Sequence, residues 1–238
     1  MRCLTPAGAG RRAILACVLL LPVLSSCLTP AQQLLLAVIP DGTLVTLLSH
    51  FERTPSANGQ RVAELEKRGD WPALVRFAED NLDKDRSAAV WWMVSGYAYS
   101  RQKQHARAIQ SFRELVRLEP DMADSWNLLA QEHRAAGDPR RAITIIENAL
   151  LVLRESATTL LILGDAHGDL QRFDAAVRAY RQALDIDGGL TPAWAGLARS
   201  YVRLGRAPEA ENIARSMEKS NPPLAAAIRQ EIAGAALR

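Results

Sequence analysis

Apolar, aromatic and small residues recur along most of this chain with a period of 34 residues. A fixed period of this length is typical of architectures in which one supersecondary unit is stacked repeatedly. The register holds through four units without insertion or deletion, at 89–122, 123–156, 157–190 and 191–224. Four positions carry it most clearly: Trp92, Trp126, Leu160 and Trp194; Gly96, Ala130, Gly164 and Ala198; Tyr99, His133, His167 and Tyr201; and Ala108, Ala142, Ala176 and Ala210.

Each unit is predicted to be a pair of antiparallel helices. Asp138-Pro139 and Thr191-Pro192 each combine a side-chain cap with a proline suited to the first helical turn. Small residues are expected where the two helices approach closely, and large ones, such as Phe112 and Tyr180, between units. Residues 61–88 are predicted to form a degenerate repeat and residues 225–238 a capping helix after Pro222-Pro223, because terminal repeats are usually atypical.

The first unit resembles the tetratricopeptide repeat, whose signature is W-x₂-L-G-x₂-Y…A-x₃-F…P. Its matching residues are Trp92, Gly96, Tyr99, Ala108, Phe112 and Pro120. The resemblance implies an all-α, right-handed α-solenoid of antiparallel helix pairs over about residues 60–224. The chain departs from the signature at Ser95, in place of leucine, and at Arg154 and Gly188, in place of the closing proline.

The resemblance also implies a binding site, because the first helices of the units line a concave groove in this family. The positions carried over are Met93, Tyr97, Arg101, Asn127, Gln131, Asp165, Asp169, Arg199 and Arg203. Asp165 with Arg199, and Asp169 with Arg203, are predicted to be neighbours because each pair is 34 residues apart. These pairs are open to two interpretations. One is a surface ion-pair ladder worth about 0–1 kcal/mol per pair; the other is a set of charges that contacts a bound peptide.

The N-terminus reads as an export signal. Residues 1–12 are positively charged, and the apolar run 13–23 is shorter than the roughly 20 residues needed to span a bilayer. The tetrapeptide Leu24-Ser25-Ser26-Cys27 that follows resembles the bacterial lipobox. The resemblance implies a signal peptide over 1–26, lipidation of Cys27 and, because Leu28 is not aspartate, the outer membrane. An ordinary secretory signal with a chance cysteine is the alternative.

The lipidated segment 27–60 is predicted to hold a short helix and a linker. Leu44, Leu47, Leu48 and Phe51 fall at helical spacing and form one apolar stripe. That helix either docks on the first repeat or contacts a membrane surface or a partner. Residues 54–60, which include proline, asparagine and glycine, are predicted to be the linker.

Charge and cysteine content argue against two classes of protein. The chain has 29 basic and 26 acidic residues, and three of the arginines precede Cys27. The chain from Cys27 onward is therefore formally neutral, which disfavours nucleic acid as a partner. Cys3 and Cys17 also precede Cys27, so no disulfide is expected after cleavage there.

Candidate catalytic groups are sparse. In 165–169 the repeat register assigns His167 to a packing position, and the two aspartates share another face of the helix. His133 is interpreted in the same way, and His105 is predicted to lie in a turn before a second helix. No G-x-S-x-G elbow or phosphate loop occurs. We therefore expect no catalysis, metal or cofactor.

The hypothesis is a membrane-anchored scaffold of the bacterial envelope that binds a partner protein or peptide in the groove. The alternative is an adaptor that binds peptidoglycan, another glycan or a peptidoglycan enzyme, with Trp92, Trp126 and Trp194 as the glycan contacts.

Overall fold

The computed structural model describes residues 57–236, and every regular element in that range is an α-helix. This confirms the all-α prediction. The helices are α1 (Ala57–Arg68), α2 (Trp71–Leu82), α3 (Ala89–Arg101), α4 (His105–Leu118), α5 (Ala123–Ala135), α6 (Pro139–Val152), α7 (Ala157–Asp169), α8 (Phe173–Ile186), α9 (Thr191–Arg203), α10 (Ala207–Met217) and α11 (Pro222–Ala236).

The helices stack as successive antiparallel pairs, α1–α2 through α9–α10, and α11 closes the right-handed solenoid. Each helix contacts the next in the chain, and the first helices of successive pairs also meet, α5 against α7 and α7 against α9. Within the described range, contacts are thus made only with adjoining units, as in other solenoid proteins.

The turn inside each pair has one geometry. Gly69, Lys103, Gly137, Gln171 and Gly205 occupy the same repeat position, and all have φ between 58° and 82°. The same backbone hydrogen bond occurs in each turn, for example from the Asp138 N–H to the His133 carbonyl at 2.8 Å. The left-handed backbone favours glycine. The degenerate pair α1–α2 therefore shares the turn of the regular units.

Two glycines on first helices allow close packing of a large ring. A Cβ added at Gly96 would lie 2.5 Å from the Phe112 ring, and one at Gly164 would lie 2.6 Å from the Tyr180 ring. This confirms the predicted close approach of the helices within a unit. Tyr180 also reaches Gly196 of the next unit, where an added Cβ would lie 2.4 Å away. Phe112 packs against Gly96 of its own unit.

Two predicted boundaries need correction. Residues 57–60 belong to α1 and not to the linker, because the helix begins at Ala57. Pro222 and Pro223 open α11 and do not only end the preceding repeat. The Asn221 side chain accepts a hydrogen bond from the Leu224 N–H at 3.1 Å, which caps the helix.

Several predictions lie outside the described residues. They are the signal peptide over 1–26, the lipidation of Cys27 and the apolar stripe at 44–51. Among the described helices, none combines the length and the apolar character needed to cross a membrane.

Candidate functional site

The candidate site is the face formed by the first helices α3, α5, α7 and α9, called the first-helix face below. The predicted groove residues differ in exposure along it. Gln131, Arg101 and Arg199 are half-buried, and Asp169 and Arg203 are exposed. The remaining four are buried: Met93, Tyr97, Asn127 and Asp165. Successive first helices pack against each other, so these four positions lie in the packing and do not form an open wall, contrary to the sequence prediction.

Contacts between successive first helices follow a spacing of 31 residues. The Tyr97 hydroxyl donates to Glu66 at 3.1 Å, and the Arg134 guanidinium donates to Asp165 at 2.8 Å; both pairs are 31 residues apart. A side chain in the last turn of one helix therefore reaches the middle of the next. Since residues 34 apart share a repeat position, a 31-residue contact joins two different positions.

This spacing overturns the two predicted ion pairs. Asp165 and Asp169 both bind Arg134 of the preceding unit, at 2.8 Å each, and not Arg199 and Arg203. Arg199 instead lies 3.3 Å from Glu231 on α11. The residue 31 positions before Arg199 is Gly168, which has no side chain to offer.

Arg134, Asp165, Asp169 and Tyr180 form a largely buried polar group with Asp169 at its exposed edge, called the Arg134 cluster. The Arg134 and Asp165 side chains are 17% and 7% exposed. The Tyr180 hydroxyl donates to the other Asp165 oxygen at 2.7 Å. Burial and then the Asp165 charge raise the pKa of Tyr180 well above its ordinary value, so the phenol stays protonated. The cluster therefore joins the second and third units.

The first unit carries an aromatic arrangement in place of an ion pair. The Tyr97 and Trp71 rings meet edge to face with centroids 6.0 Å apart. The Arg101 guanidinium lies 4.7 Å from the Trp71 ring centroid. Burial and then Glu66 raise the pKa of Tyr97, which keeps its hydroxyl a donor. Arg101 is thereby held in place by stacking while its N–H groups are not used in an ion pair with any described residue.

The fourth unit repeats the contact between an arginine and an aromatic ring. The Arg203 guanidinium lies 5.8 Å from the Phe173 ring centroid. Arg203 has the repeat position of Arg101, and Phe173 has that of Trp71. Arg203 likewise forms no ion pair within residues 57–236. The first-helix face thus carries a ring-supported arginine in both its first and its fourth unit.

Between these two arginines lies an unpaired acceptor. Asn127 is 4% exposed, and its side-chain oxygen has no hydrogen-bond partner among the described residues. Its counterparts in the neighbouring units are Met93 and Leu161, both buried. A buried amide oxygen without a partner is unfavourable by about 1–3 kcal/mol.

Sequence reasoning missed several residues of this face. Arg134 lies one helical turn after Gln131, and Glu66, Trp71 and Glu132 were also overlooked. A search for opposite charges 31 residues apart, rather than 34, pairs Asp165 with Arg134. His105 is the first residue of α4 and not part of the preceding turn, and its Nδ1 lies 2.6 Å from the buried Glu132 carboxylate.

The tryptophans have a shared structural contact. The indole N–H groups of Trp92, Trp126 and Trp194 donate to the carbonyls of Arg86, Pro120 and Gly188, at 2.8–2.9 Å. Each donor and acceptor are six residues apart, and each ring is half-buried. Each tryptophan therefore fastens the loop that precedes its own helix, and its polar atom is already engaged.

Family models and relatives agree with the fold. Models described as tetratricopeptide repeat match residues 91–122, 127–191 and 169–232, which together make up more than half of the chain. A curated relative, "Protein bimA" of Emericella nidulans, is 24% identical over 149 residues. The match covers 63% of this chain and spans only 14% of that relative's length.

Solved structures with the same fold include three proteins of diverse description. PilW, described as a widely conserved type IV pilus biogenesis factor, is 19% identical with a TM-score of 0.62, covering 75% of this chain and 88% of its own. MamA of Desulfovibrio magneticus is 15% identical with a TM-score of 0.60, covering 76% and 99%. YrrB, described as having an unusual peptide-binding site, is 15% identical with a TM-score of 0.56, covering 78% and 97%.

Proposed function

Because the chain belongs to the tetratricopeptide-repeat family, whose fold serves as a protein-interaction scaffold, we propose that it is a lipid-anchored scaffold of the bacterial envelope. In this proposal the lipid on Cys27 holds the chain on the outer membrane, facing the periplasm. The first-helix face binds an extended or helical segment of a partner protein. No reaction is assigned to the chain.

The observation that carries the binding proposal is the pair of ring-supported arginines. Arg101 and Arg203 are held against Trp71 and Phe173 and have no ion pair among the described residues. A guanidinium already positioned by stacking loses less side-chain entropy when it binds a carboxylate. The face is thus suited to a segment with acidic groups at both ends.

A photocrosslinking experiment tests the binding proposal. A photoreactive amino acid at Gln131, which is half-buried on the first-helix face, should trap a discrete partner in cells. Arg101→Glu/Arg203→Glu should abolish that crosslink, because acidic groups on the partner would then be repelled. Arg76→Glu/Arg154→Glu changes the charge equally at exposed positions of second helices or loops and should leave the crosslink intact. Equal crosslinking in the two double variants would exclude charge recognition at this face.

The anchor is tested separately. Labelled palmitate should enter the wild type and not Cys27→Ser, and the wild type should sediment with outer membranes. Equal labelling of both proteins would refute lipidation, without bearing on the first-helix face.

The alternative glycan adaptor has less support. It needs exposed aromatic rings with free polar edges, whereas the indole N–H groups of Trp92, Trp126 and Trp194 already donate to backbone carbonyls. Binding of purified peptidoglycan that is lost in Trp126→Ala, in a variant that still folds, would revive it.

A further inference from the structure

A basic pocket lies outside the first-helix face, between α4, α5 and α6. Its lining residues are Arg113, His133, Asp138, Arg140, Arg141 and Thr144. None of them belongs to the predicted groove or to the Arg134 cluster. The pocket is therefore separate from the proposed partner site.

The arginines of the pocket lack counter-charges. Arg113, Arg140 and Arg141 are exposed, and none forms an ion pair with a residue in 57–236. Asp138 is the one carboxylate in the lining, and one of its oxygens accepts the Arg141 backbone N–H at 3.0 Å as a helix cap. Three guanidiniums from two helices thus face one already engaged carboxylate, which leaves a local excess of positive charge.

His133 provides a second, independent sign of a ligand. The side chain is 6% exposed, and its Nε2 has no hydrogen-bond partner among the described residues. Burial and then the charge of Arg113 lower the pKa of His133, with Arg141 acting in the same direction and Asp138 opposing it. The ring is therefore neutral at pH 7 and sits in a positive potential beside an unfilled hydrogen-bonding position.

The equivalent positions in the third unit carry a different set of charges. His167 has the repeat position of His133; its ring is half-buried, and its Nδ1 has no hydrogen-bond partner among the described residues. Burial and then the charge of Arg172 lower the pKa of His167, with Arg178 acting in the same direction and Glu147 opposing it. Glu147 takes the position of Arg113 in this unit, and Asp174 takes the position of Arg140. Two arginines and two carboxylates therefore balance around His167, whereas three arginines and one carboxylate surround His133.

We propose that this pocket binds a phosphate group. Guanidinium forks match the geometry of phosphate oxygens and form charge-assisted hydrogen bonds with them, and arginines from two directions suit a tetrahedral anion better than a planar carboxylate. A flat membrane contact fits less well. The exposed apolar side chains Leu151 and Val152 lie at the other end of α6, about 15 Å along the helix from Arg141.

The test follows His133 by NMR in the full-length protein, held in detergent. The histidine pKa values are measured in chloride and in inorganic phosphate at equal ionic strength, with His133→Gln used for assignment. A bound anion should raise the His133 pKa by about 0.5–1 unit, because it offsets the nearby arginines. The His167 pKa should not move, because Glu147 and Asp174 take the places of Arg113 and Arg140 and leave no excess of positive charge there.

Two variants isolate the pocket. Arg113→Gln/Arg141→Gln should abolish the phosphate-dependent shift and also raise the phosphate-free pKa of His133, because two positive charges are removed. Arg76→Gln/Arg154→Gln removes the same charge elsewhere and should keep the wild-type response. Circular dichroism melting confirms that both variants fold.

Other anions decide the class of ligand. A larger response to glycerol 3-phosphate than to inorganic phosphate would assign the site to a phosphate ester, such as a lipid headgroup, and the reverse would assign it to the free ion. The proposal is wrong if acetate at equal ionic strength gives the same shift, if phosphate gives none, or if the Arg113/Arg141 variant responds like the wild type. None of these outcomes depends on the first-helix face.

Discussion

Two junctions between units differ in the side chains at one pair of repeat positions. They are the junction between the second and third units and the junction between the third and fourth. At the former, Arg134 reaches Asp165 across 31 residues. At the latter, the corresponding pair is Gly168 and Arg199, and Arg199 turns instead to Glu231 on α11. The backbone geometry is shared by both. The side chain in the last turn decides whether a junction is closed by an ion pair or leaves its charge for other contacts.

The junction before the first unit is intermediate between these two. Glu66 and Tyr97 occupy the same pair of positions and are joined by a hydrogen bond that carries one charge in place of two. The same contact thus occurs as an ion pair, as a charged hydrogen bond and as an absent contact. Substitutions that remove the ion pair or the hydrogen bond, and one that introduces the absent contact, test this series.

Removing the Arg134 side chain should have the largest effect. Arg134→Ala leaves the buried Asp165 carboxylate without its ion-pair partner, and we expect unfolding free energy to fall by about 3 kcal/mol. Chemical denaturation would measure it. Arg203→Ala, which removes an exposed arginine stacked on Phe173, is the control and should cost about 0.5 kcal/mol. Similar losses for both would show that the Arg134 cluster is not a special contact.

Crowding the ring beneath the cluster should come next. Gly164→Ala places a methyl group 2.6 Å from the Tyr180 ring, whose hydroxyl binds Asp165, and should destabilise the fold by about 2 kcal/mol. Gly168→Ala lies on the same helix, where an added Cβ meets the Tyr180 hydroxyl at 3.9 Å, an ordinary contact. That variant should be neutral or more stable by up to about 1 kcal/mol. Equal melting temperatures for the two would contradict the packing described.

Breaking the hydrogen bond of the first junction should cost less than breaking the ion pair. Tyr97→Phe keeps the ring against Trp71 but removes the donor to Glu66, and we expect a loss of about 1–2 kcal/mol in denaturation experiments. Tyr99→Phe removes a hydroxyl that donates to Glu79 within a less buried setting and gives a matched reference. A loss as large as that for Arg134→Ala would reverse the proposed order of the junctions.

Building the missing contact should have the smallest effect. Gly168→Glu places a carboxylate 31 residues before Arg199, and should stabilise the fold beyond Gly168→Ala by about 0.5 kcal/mol. A double-mutant cycle with Arg199→Ala measures the coupling directly. No coupling would show that α11 already holds Arg199 through Glu231.

The fold was largely predictable because the repeat makes each local signal occur several times. Gly96 and Gly164 indicated close helix contacts, and the structure places Phe112 and Tyr180 directly against them. The turn position holds glycine at Gly69, Gly137 and Gly205, although Lys103 and Gln171 adopt the same positive φ without being glycine. The predictions of helix ends were less accurate, as at Pro222, because a proline is compatible both with ending one helix and with beginning another.

The site was less predictable because its contacts depend on how one helix is offset from the next. A period of 34 identifies equivalent residues, and equivalent residues of successive units need not touch. Arg134 was therefore overlooked, and Asp165 was assigned to Arg199. The exposure of Met93 and Asn127 was overestimated for a related reason, since the sequence does not show how closely successive first helices pack.

The sequence by itself determined the number of units, their helix pairs and the turn between them, because these follow from contacts within one period of the chain. Only the tertiary structure decided which charges meet. The offset between adjacent first helices brings position 134 to 165 and leaves 168 without a side chain opposite 199, and that offset arises from packing between units.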